Sequence, residues 1–336
     1  MTPGPLALTL GDPAGIGPEI IVKAWRALRE AGPHFFVVGD ALSLASAPTA
    51  TAGITRLISS PDEVERTFAS AIPVLDLPLK APVVAGQPSA TSAPAIIRWI
   101  ETAVGLALSG TVSGVVTAPI AKAPLYEAGF KFPGHTEFLG DLTATAKLKG
   151  ERGPVMMLTS ADLRVALVTV HEPLARVSSR LTVEAIVKTG RVTAEALTRD
   201  FGIAKPRLAV AGLNPHAGEG GSIGREEIDI VEPAVRALQA LGIDSRGPLP
   251  ADTLFHAEAR AASDAVICLY HDQALIPVKM LDFWGGVNVT LGLPIVRTSP
   301  DHGTAFDIAG RGIARADSLI AAIRLAAGIA QRRHAA

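Results

Sequence analysis

Three histidines share one kind of position. His171, His216 and His271 each follow an apolar run of strand length: Val165–Val170, Leu208–Leu213 and Val266–Leu269. A neutral imidazole is a good ligand for zinc and other divalent first-row ions. Three of them with open coordination positions would make a catalytic metal centre. The spacings are long, unlike a local His-Glu-x-x-His motif, so each taken alone is equally an ordinary surface or hydrogen-bonded histidine. The repeated placement is what argues for metal. His34 and His334 are expected in solvent, and His256 in a helix with a structural role. His135 and His302 sit in polar loops, Gly134-His135-Thr136-Glu137 and Asp301-His302-Gly303-Thr304.

A second set of residues suits anions. Lys279 stands eight residues after His271, and Asn288 and Arg297 follow at intervals of nine. Lysine offers phosphate a point charge, and arginine can hold phosphate or carboxylate with two hydrogen bonds. Thr136 adds a hydroxyl and His135 a further donor; the alternative is that Lys279 and Arg297 are solvated charges. Gly218–Gly224 is glycine-rich and precedes a helix expected from about Arg225. It suits either an anion cradle of backbone amides or a plain flexible loop.

The elements that must position these groups alternate along the chain. Strands are expected at Leu6–Leu10, Phe35–Val38, Gly114–Thr117, Val155–Thr159, Val165–Thr169, Leu208–Leu213, Ala265–Leu269 and Val287–Leu291. Helices are expected at Pro18–Arg29, Ser92–Leu108, Val183–Arg199, Glu226–Leu241 and Ser318–Arg332. Such alternation predicts an α/β protein with largely parallel strands, which place ligands at their carboxyl ends. The polar motifs fall there: Gly11-Asp12-Pro13, Thr117-Ala118-Pro119, His171-Glu172-Pro173, Asn214-Pro215-His216, His271-Asp272-Gln273 and Arg297-Thr298-Ser299.

Composition narrows the class. The 336 residues carry a formal net charge of -1, with 48% hydrophobic and 19% charged residues. A large core is possible and wholesale disorder is excluded. Nothing suggests the basic face of a nucleic-acid binder. The single cysteine, Cys268, rules out an intrachain disulfide and a cysteine zinc site. The first residues lack the features of a signal peptide, and apolar runs are too short for a membrane helix, so a cytoplasmic enzyme is expected. Neither a Gly-x-Gly-x-x-Gly after the first strand nor a Walker-type phosphate loop is present.

Taken together, GDPAGIGPEI (11–20), FPGHTEFL (132–139), GLNPHAGEGGSIGREE (212–227), LPADTLF (249–255), YHDQALIPVK (270–279), GVNVTLGLP (286–294) and RTSPDHGTAFDIAGRGIA (297–314) closely resemble the 4-hydroxythreonine-4-phosphate dehydrogenase family of the pyridoxal-phosphate pathway. They span almost the whole chain in order. The last is also similar to the His-Gly-Ser/Thr-Ala dinucleotide loop of isopropylmalate and isocitrate dehydrogenases. The resemblance implies an isopropylmalate dehydrogenase-like α/β/α fold with two domains flanking a cleft. The first domain would comprise 1–125 plus 298–336 and the second 126–297. It implies a homodimer whose metal site is shared between subunits, two histidines from one and the third from the other. His171, His216 and His271 would be those ligands. His135, Thr136, Lys279, Asn288 and Arg297 would bind substrate, and Gly303, Thr304 and Ala305 the dinucleotide. One departure, Phe283-Trp284-Gly285, puts a tryptophan where the family pattern is polar or charged.

The activity so implied is oxidation of 4-phosphooxy-L-threonine to 2-amino-3-oxo-4-phosphobutanoate, which decarboxylates to 3-amino-2-oxopropyl phosphate. NAD or NADP would accept hydride, and one divalent ion per site (zinc, magnesium or cobalt) would act as Lewis acid. Histidine ligation suits zinc, cobalt, nickel or iron better than magnesium, with substrate oxygens completing the shell. Lys279, Asp272 and Asp252 are the candidates for the general base. Alternative readings are a dehydrogenase for threonate or erythronate 4-phosphate, a three-histidine metal hydrolase, and a non-enzymatic small-molecule binder.

Overall fold

The computed structural model describes residues 3–335. Among them lie twelve strands: β1 (Leu6–Thr9), β2 (Phe35–Gly39), β3 (Thr55–Leu57), β4 (Ile72–Asp76), β5 (Gly114–Thr117), β6 (Val155–Ser160), β7 (Leu163–Leu167), β8 (Arg207–Ala211), β9 (Asp244–Leu249), β10 (Ala265–Cys268), β11 (Val287–Leu291) and β12 (Arg297–Pro300). The chain forms two compact units. One takes the chain up to Lys147 together with Pro294–Ala335, and the other takes Leu148–Leu293. The segment 126–147, read from sequence with the second domain, therefore packs within the first unit. So does Pro294–Arg297. This assigns His135, Thr136 and Arg297 to the first unit.

In the first unit the strands run β3-β4-β2-β1-β5-β12. Every pairing in it is parallel, with Leu6 opposite both Phe35 and Gly114. Strands covered on both faces can be apolar throughout; Phe35-Phe36-Val37-Val38 is fully buried, and so are Leu6-Ala7-Leu8 and Val115-Val116. Helix Gly17–Leu28 covers this sheet because its apolar residues recur at helical spacing: Ile20, Ile21, Ala24, Trp25 and Leu28 are all buried. Pro18 in the first turn and Glu19 beside it suit a helix start. Helix Ala93–Leu108 buries Trp99 completely, and its indole N–H donates to the Leu77 carbonyl at 2.8 Å. The closing helix Asp317–Ala335 packs on β12, where the Thr298 hydroxyl donates to the Ala322 carbonyl.

In the second unit the order is β11-β6-β7-β10-β8-β9. Here the expectation of parallel strands holds only in part. β7, β10, β8 and β9 are parallel, but β6 is antiparallel to both β11 and β7. β6 and β7 form a hairpin across Ala161-Asp162, and Ala161 takes a left-handed φ of 49°. Two-residue hairpins need such a backbone and normally signal it with glycine or asparagine. Alanine carries no such signal. The expected strand Val165–Thr169 is shifted for the same reason: it begins at Leu163 and ends at Leu167. The core of this unit includes Leu158, Val165, Leu167, Ala209, Val266, Ala274 and Val278.

Some local expectations change. The helix expected at Glu226–Leu241 divides into a π-helical turn, Glu227–Val231, and an α-helix, Glu232–Ala240. His256 precedes helix Ala257–Ala261 and pairs with Glu258 at 2.7 Å. His135, placed in a polar loop by sequence, begins the helix His135–Leu142, and His271, read as following a strand, begins the helix His271–Leu281.

The turn after β1 leaves no room for a side chain at Gly11. Gly11 has φ +77°, and a Cβ there would lie 2.5 Å from the Pro119 carbonyl oxygen and 2.9 Å from the Ala118 Cβ. Gly11→Ala should therefore cost about 2–4 kcal/mol, from left-handed backbone strain plus overpacking. Urea denaturation measures it, and an unchanged midpoint would contradict the close approach.

Candidate active site

The first unit gathers a buried cation and its neighbours. Arg297, at the start of β12, is 2% exposed, and its Nη2 donates to the Thr117 hydroxyl at the end of β5, 2.6 Å away. Burial pushes the guanidinium down to about 9, while Glu137 works the other way. The side chain is thus still a cation at neutral pH. His135 is held well below the usual imidazole range, first by burial and then by the positive charges of Arg297 and Lys122. The two positive charges that add to the effect of burial also attract an anion. The Nε2 of His135 and the Oε2 of Glu137 are shut off from solvent without a hydrogen-bond partner among the described residues. Buried polar groups left this way cost about 1–3 kcal/mol each, so they mark where a ligand could pair. Thr136 lies next to His135 on the same helix, half-buried. Glu137, Thr117 and Lys122 were not singled out as site residues from sequence. Glu137 stands inside the His135 motif and Thr117 at a polar strand end, but only packing reveals their proximity to Arg297 and His135.

The second unit brings two of the three histidines together. The rings of His171, beyond β7, and His271, beginning its helix, have centroids 6.0 Å apart. Two imidazoles sharing an ion through N–metal bonds of roughly 2.0–2.1 Å have centroids on the order of 5–6.5 Å apart, so this pair fits one metal. The Nδ1–H of His271 donates to the Asp272 carboxylate at 2.7 Å. That bond leaves Nε2 as the lone-pair nitrogen, the arrangement by which a carboxylate orients a metal-binding histidine. The pair opens on a cavity of about 480 Å³ lined also by Glu172, Leu174, Val177 and Tyr270. Burial, with Asp272 nearby, pushes the Tyr270 phenol up.

His216 is exposed, on the 3-10 segment Pro215–Gly221. Among the described residues of one chain, no group of three histidine, cysteine or acidic side chains is placed to hold a metal. The fit to a metal is thus two ligands from the pair, with His216 free of it in the same chain. Lys279, in the last turn of helix His271–Leu281, holds its ammonium 5.3 Å above the Phe283 ring, against which Trp284 packs edge-on. Asn288 on β11 has its Oδ1 shut from solvent without a partner among the described residues. Asp252 is exposed on the turn Ala251–Thr253.

The 303–305 loop is pinned from beneath. The Ile16 N–H donates to the Thr304 carbonyl at 3.0 Å. A Cβ on Gly15 would lie 2.9 Å from that oxygen, so the first motif needs glycine there. Ala305 takes a left-handed φ of 42°, and Gly303 has open space around it. Further along, the Glu19 carboxylate accepts from the Gly312 and Ala314 N–H groups, while Lys23 donates to both of their carbonyls and to Glu19. Beside this loop a cavity of about 460 Å³ is lined by Gly15, Glu19, Asp40, Lys80 and Gly310 among others. The structure carries open backbone beside a cavity here, which suits a dinucleotide.

Comparison with known proteins covers the chain almost end to end. The family described as "Pyridoxal phosphate biosynthetic protein PdxA" matches residues 32–326. A 4-hydroxythreonine-4-phosphate dehydrogenase from Caulobacter vibrioides is 70% identical over 333 residues, covering 99% of each chain. One of the same name from Maricaulis maris is 56% identical, covering 98% of each. The crystal structure of the dehydrogenase of that name from Klebsiella pneumoniae superposes with a TM-score of 0.85 at 42% identity, covering 98% of both chains. The fold is thus the α/β fold expected from the resemblance.

The environment of His135 has a measurable consequence. Its folded-state proton affinity is depressed, so below about pH 6.5 the unfolded chain takes up a proton that the folded one refuses. Stability should therefore fall as pH drops from 7 towards 5. His135→Gln should decline less over that interval, read as urea midpoints at the two pH values. Equal declines would mean that His135 is not buried in the neutral form.

Proposed function

Since the chain belongs to the PdxA family of pyridoxal phosphate biosynthetic proteins and is an oxidoreductase of the 4-hydroxythreonine-4-phosphate dehydrogenase type, we propose that it oxidises 4-phosphooxy-L-threonine through a three-histidine metal site and an NAD(P) site on the 303–305 loop. The observation that carries the metal reading is the His171–His271 pair with Asp272 on the outer nitrogen of His271. His216 supplies the third ligand from the second subunit of a homodimer, in keeping with its separation from the pair within one chain. Bound there, a divalent ion supplies Lewis acidity that lowers the pKa of the substrate's hydroxyl, and the nicotinamide supplies the hydride acceptor.

The remaining work falls to the chain's own groups. Arg297 offers a desolvated guanidinium, with His135 as a neutral hydrogen-bonding partner and Thr136 adding a hydroxyl, for the substrate's phosphate or carboxylate. Lys279 brings a second cation and Asn288 an unpaired carbonyl oxygen that accepts from a hydroxyl or an amine. Asp272 is engaged by His271 and acts as its orienter, which leaves Lys279 and Asp252 as the candidates for the base. Anchoring the anionic group of a small substrate restricts its orientation before reaction. The β-keto acid product then loses carbon dioxide, giving 3-amino-2-oxopropyl phosphate.

The test is NAD(P) reduction by purified protein with 4-phosphooxy-L-threonine and, in parallel, D-erythronate and D-threonate 4-phosphates, with and without a chelator. Chelator-sensitive turnover on the amino substrate is expected. Turnover on the sugar-acid phosphates alone would reassign the substrate, and full turnover in rigorously metal-free buffer would end the metal reading. Arg297→Ala should raise the KM for phosphorylated substrate by roughly 10-fold or more, the loss of a charge-assisted contact worth about 1.5–3 kcal/mol. An unchanged KM would remove Arg297 from the anchor.

A further inference from the structure

The glycine-rich segment after β8 packs at Gly218 against a carboxylate of its own chain, that of Glu227. From His216 to Gly220 the backbone turns left-handed at five successive residues, with φ of 52°, 51°, 78°, 46° and 64°. Three of the five, His216, Ala217 and Glu219, are not glycine, and L-residues rarely take this conformation. Something must hold the turn, and the candidate stands behind it. Glu227 is 2% exposed. Its Oε1 accepts from the backbone N–H groups of Leu213 and Asn214, both at 2.7 Å, and its Oε2 accepts from the Asn214 side-chain amide at 2.9 Å.

The glycines make room for this arrangement. A Cβ on Gly218 would lie 2.6 Å from Glu227 Oε2, one on Gly212 3.3 Å from Oε1, and one on Gly224 2.5 Å from the Asn214 amide nitrogen. Glu226 holds the same amide from the other side at 2.8 Å and accepts from the Ser178 hydroxyl. Glu227 also opens the π-helical turn Glu227–Val231, a geometry that recurs at functional sites. The two amides that it captures lie two and three residues before His216.

We propose that Glu227 is the positioning residue for His216: the buried carboxylate ties down Leu213 and Asn214 and so drives the chain into the left-handed turn that presents the imidazole outward. This rests on His216 being a metal ligand, as proposed above. Groups that orient metal ligands typically change metal affinity by about 10- to 100-fold when removed.

The experiment is titration of the metal-stripped, full-length protein with Co(II), following the visible absorption bands of the bound ion. Wild type, His216→Ala, Glu227→Gln and the double variant are compared. His216→Ala should weaken binding and alter the spectrum. Glu227→Gln should weaken binding by about 10- to 100-fold, and the double variant should be no weaker than His216→Ala within about twofold, because both changes act through one ligand. Wild-type affinity and spectrum in Glu227→Gln, or losses that add in the double variant, would overturn the role of Glu227 while leaving the metal reading intact. Wild-type binding by His216→Ala would instead overturn the metal reading and this proposal with it. If Glu227→Gln does not fold, Gly218→Ala serves: its Cβ displaces Oε2 while retaining the charge. It should show the same loss, and undiminished affinity there would equally overturn the proposal.

Discussion

Loops that leave parallel strands lose their ladder partners, and here buried carboxylates take over the orphaned amides. Asp12 accepts from the Ala14 N–H, Asp40 from the Ser43 and Leu79 N–H groups, Glu19 from those of Gly312 and Ala314, and Glu227 from those of Leu213 and Asn214. Each of these four residues is 6% exposed or less. A buried N–H without a partner costs about 1–3 kcal/mol, and an ionised acceptor makes a stronger bond than a neutral one. The same bonds therefore stabilise the loops and set their shapes. At Glu19 the charge is also compensated: Lys23 pairs with it at 2.7 Å while holding the carbonyls of the residues whose amides Glu19 holds. An uncompensated buried charge would be costly.

This scaffolding lets one side-chain type do different jobs. His135 is desolvated beside Arg297 and Lys122, and is held in its neutral form. His271 is partly exposed beside Asp272, whose carboxylate fixes the tautomer. His216 rides on a left-handed turn, exposed, just past the Leu213 and Asn214 amides that Glu227 holds. Nothing in the type histidine distinguishes these roles. The distinction lies in which charges and which backbone surround each ring.

Much was legible from residue pattern alone. The apolar runs at Leu6, Phe35, Gly114 and Ala265 are strands because buried parallel strands tolerate apolar residues on both faces; the run at Val287 is a strand too, but an antiparallel one against β6. Helix Gly17–Leu28 follows from apolar spacing with proline at its start. Long motifs such as GDPAGIGPEI and YHDQALIPVK identified the family, since a glycine that admits no Cβ and a histidine that leads a helix leave a strong trace. Less legible were the β6–β7 hairpin, whose left-handed residue is alanine, and the division of the chain, because 126–147 carries no change of composition at its ends.

The sequence by itself determined the residue types of the candidate site and their order past the strand ends, because local periodicity and turn chemistry act over a few neighbours. Only the tertiary structure decided which of them meet. It placed Arg297 against Thr117, 180 residues apart in the chain, and His171 beside His271. It packed Gly218 against the buried carboxylate of Glu227. Those outcomes depend on burial and on the loss of solvent around charges, which are properties of the packed chain and cannot be assigned to any one stretch of it.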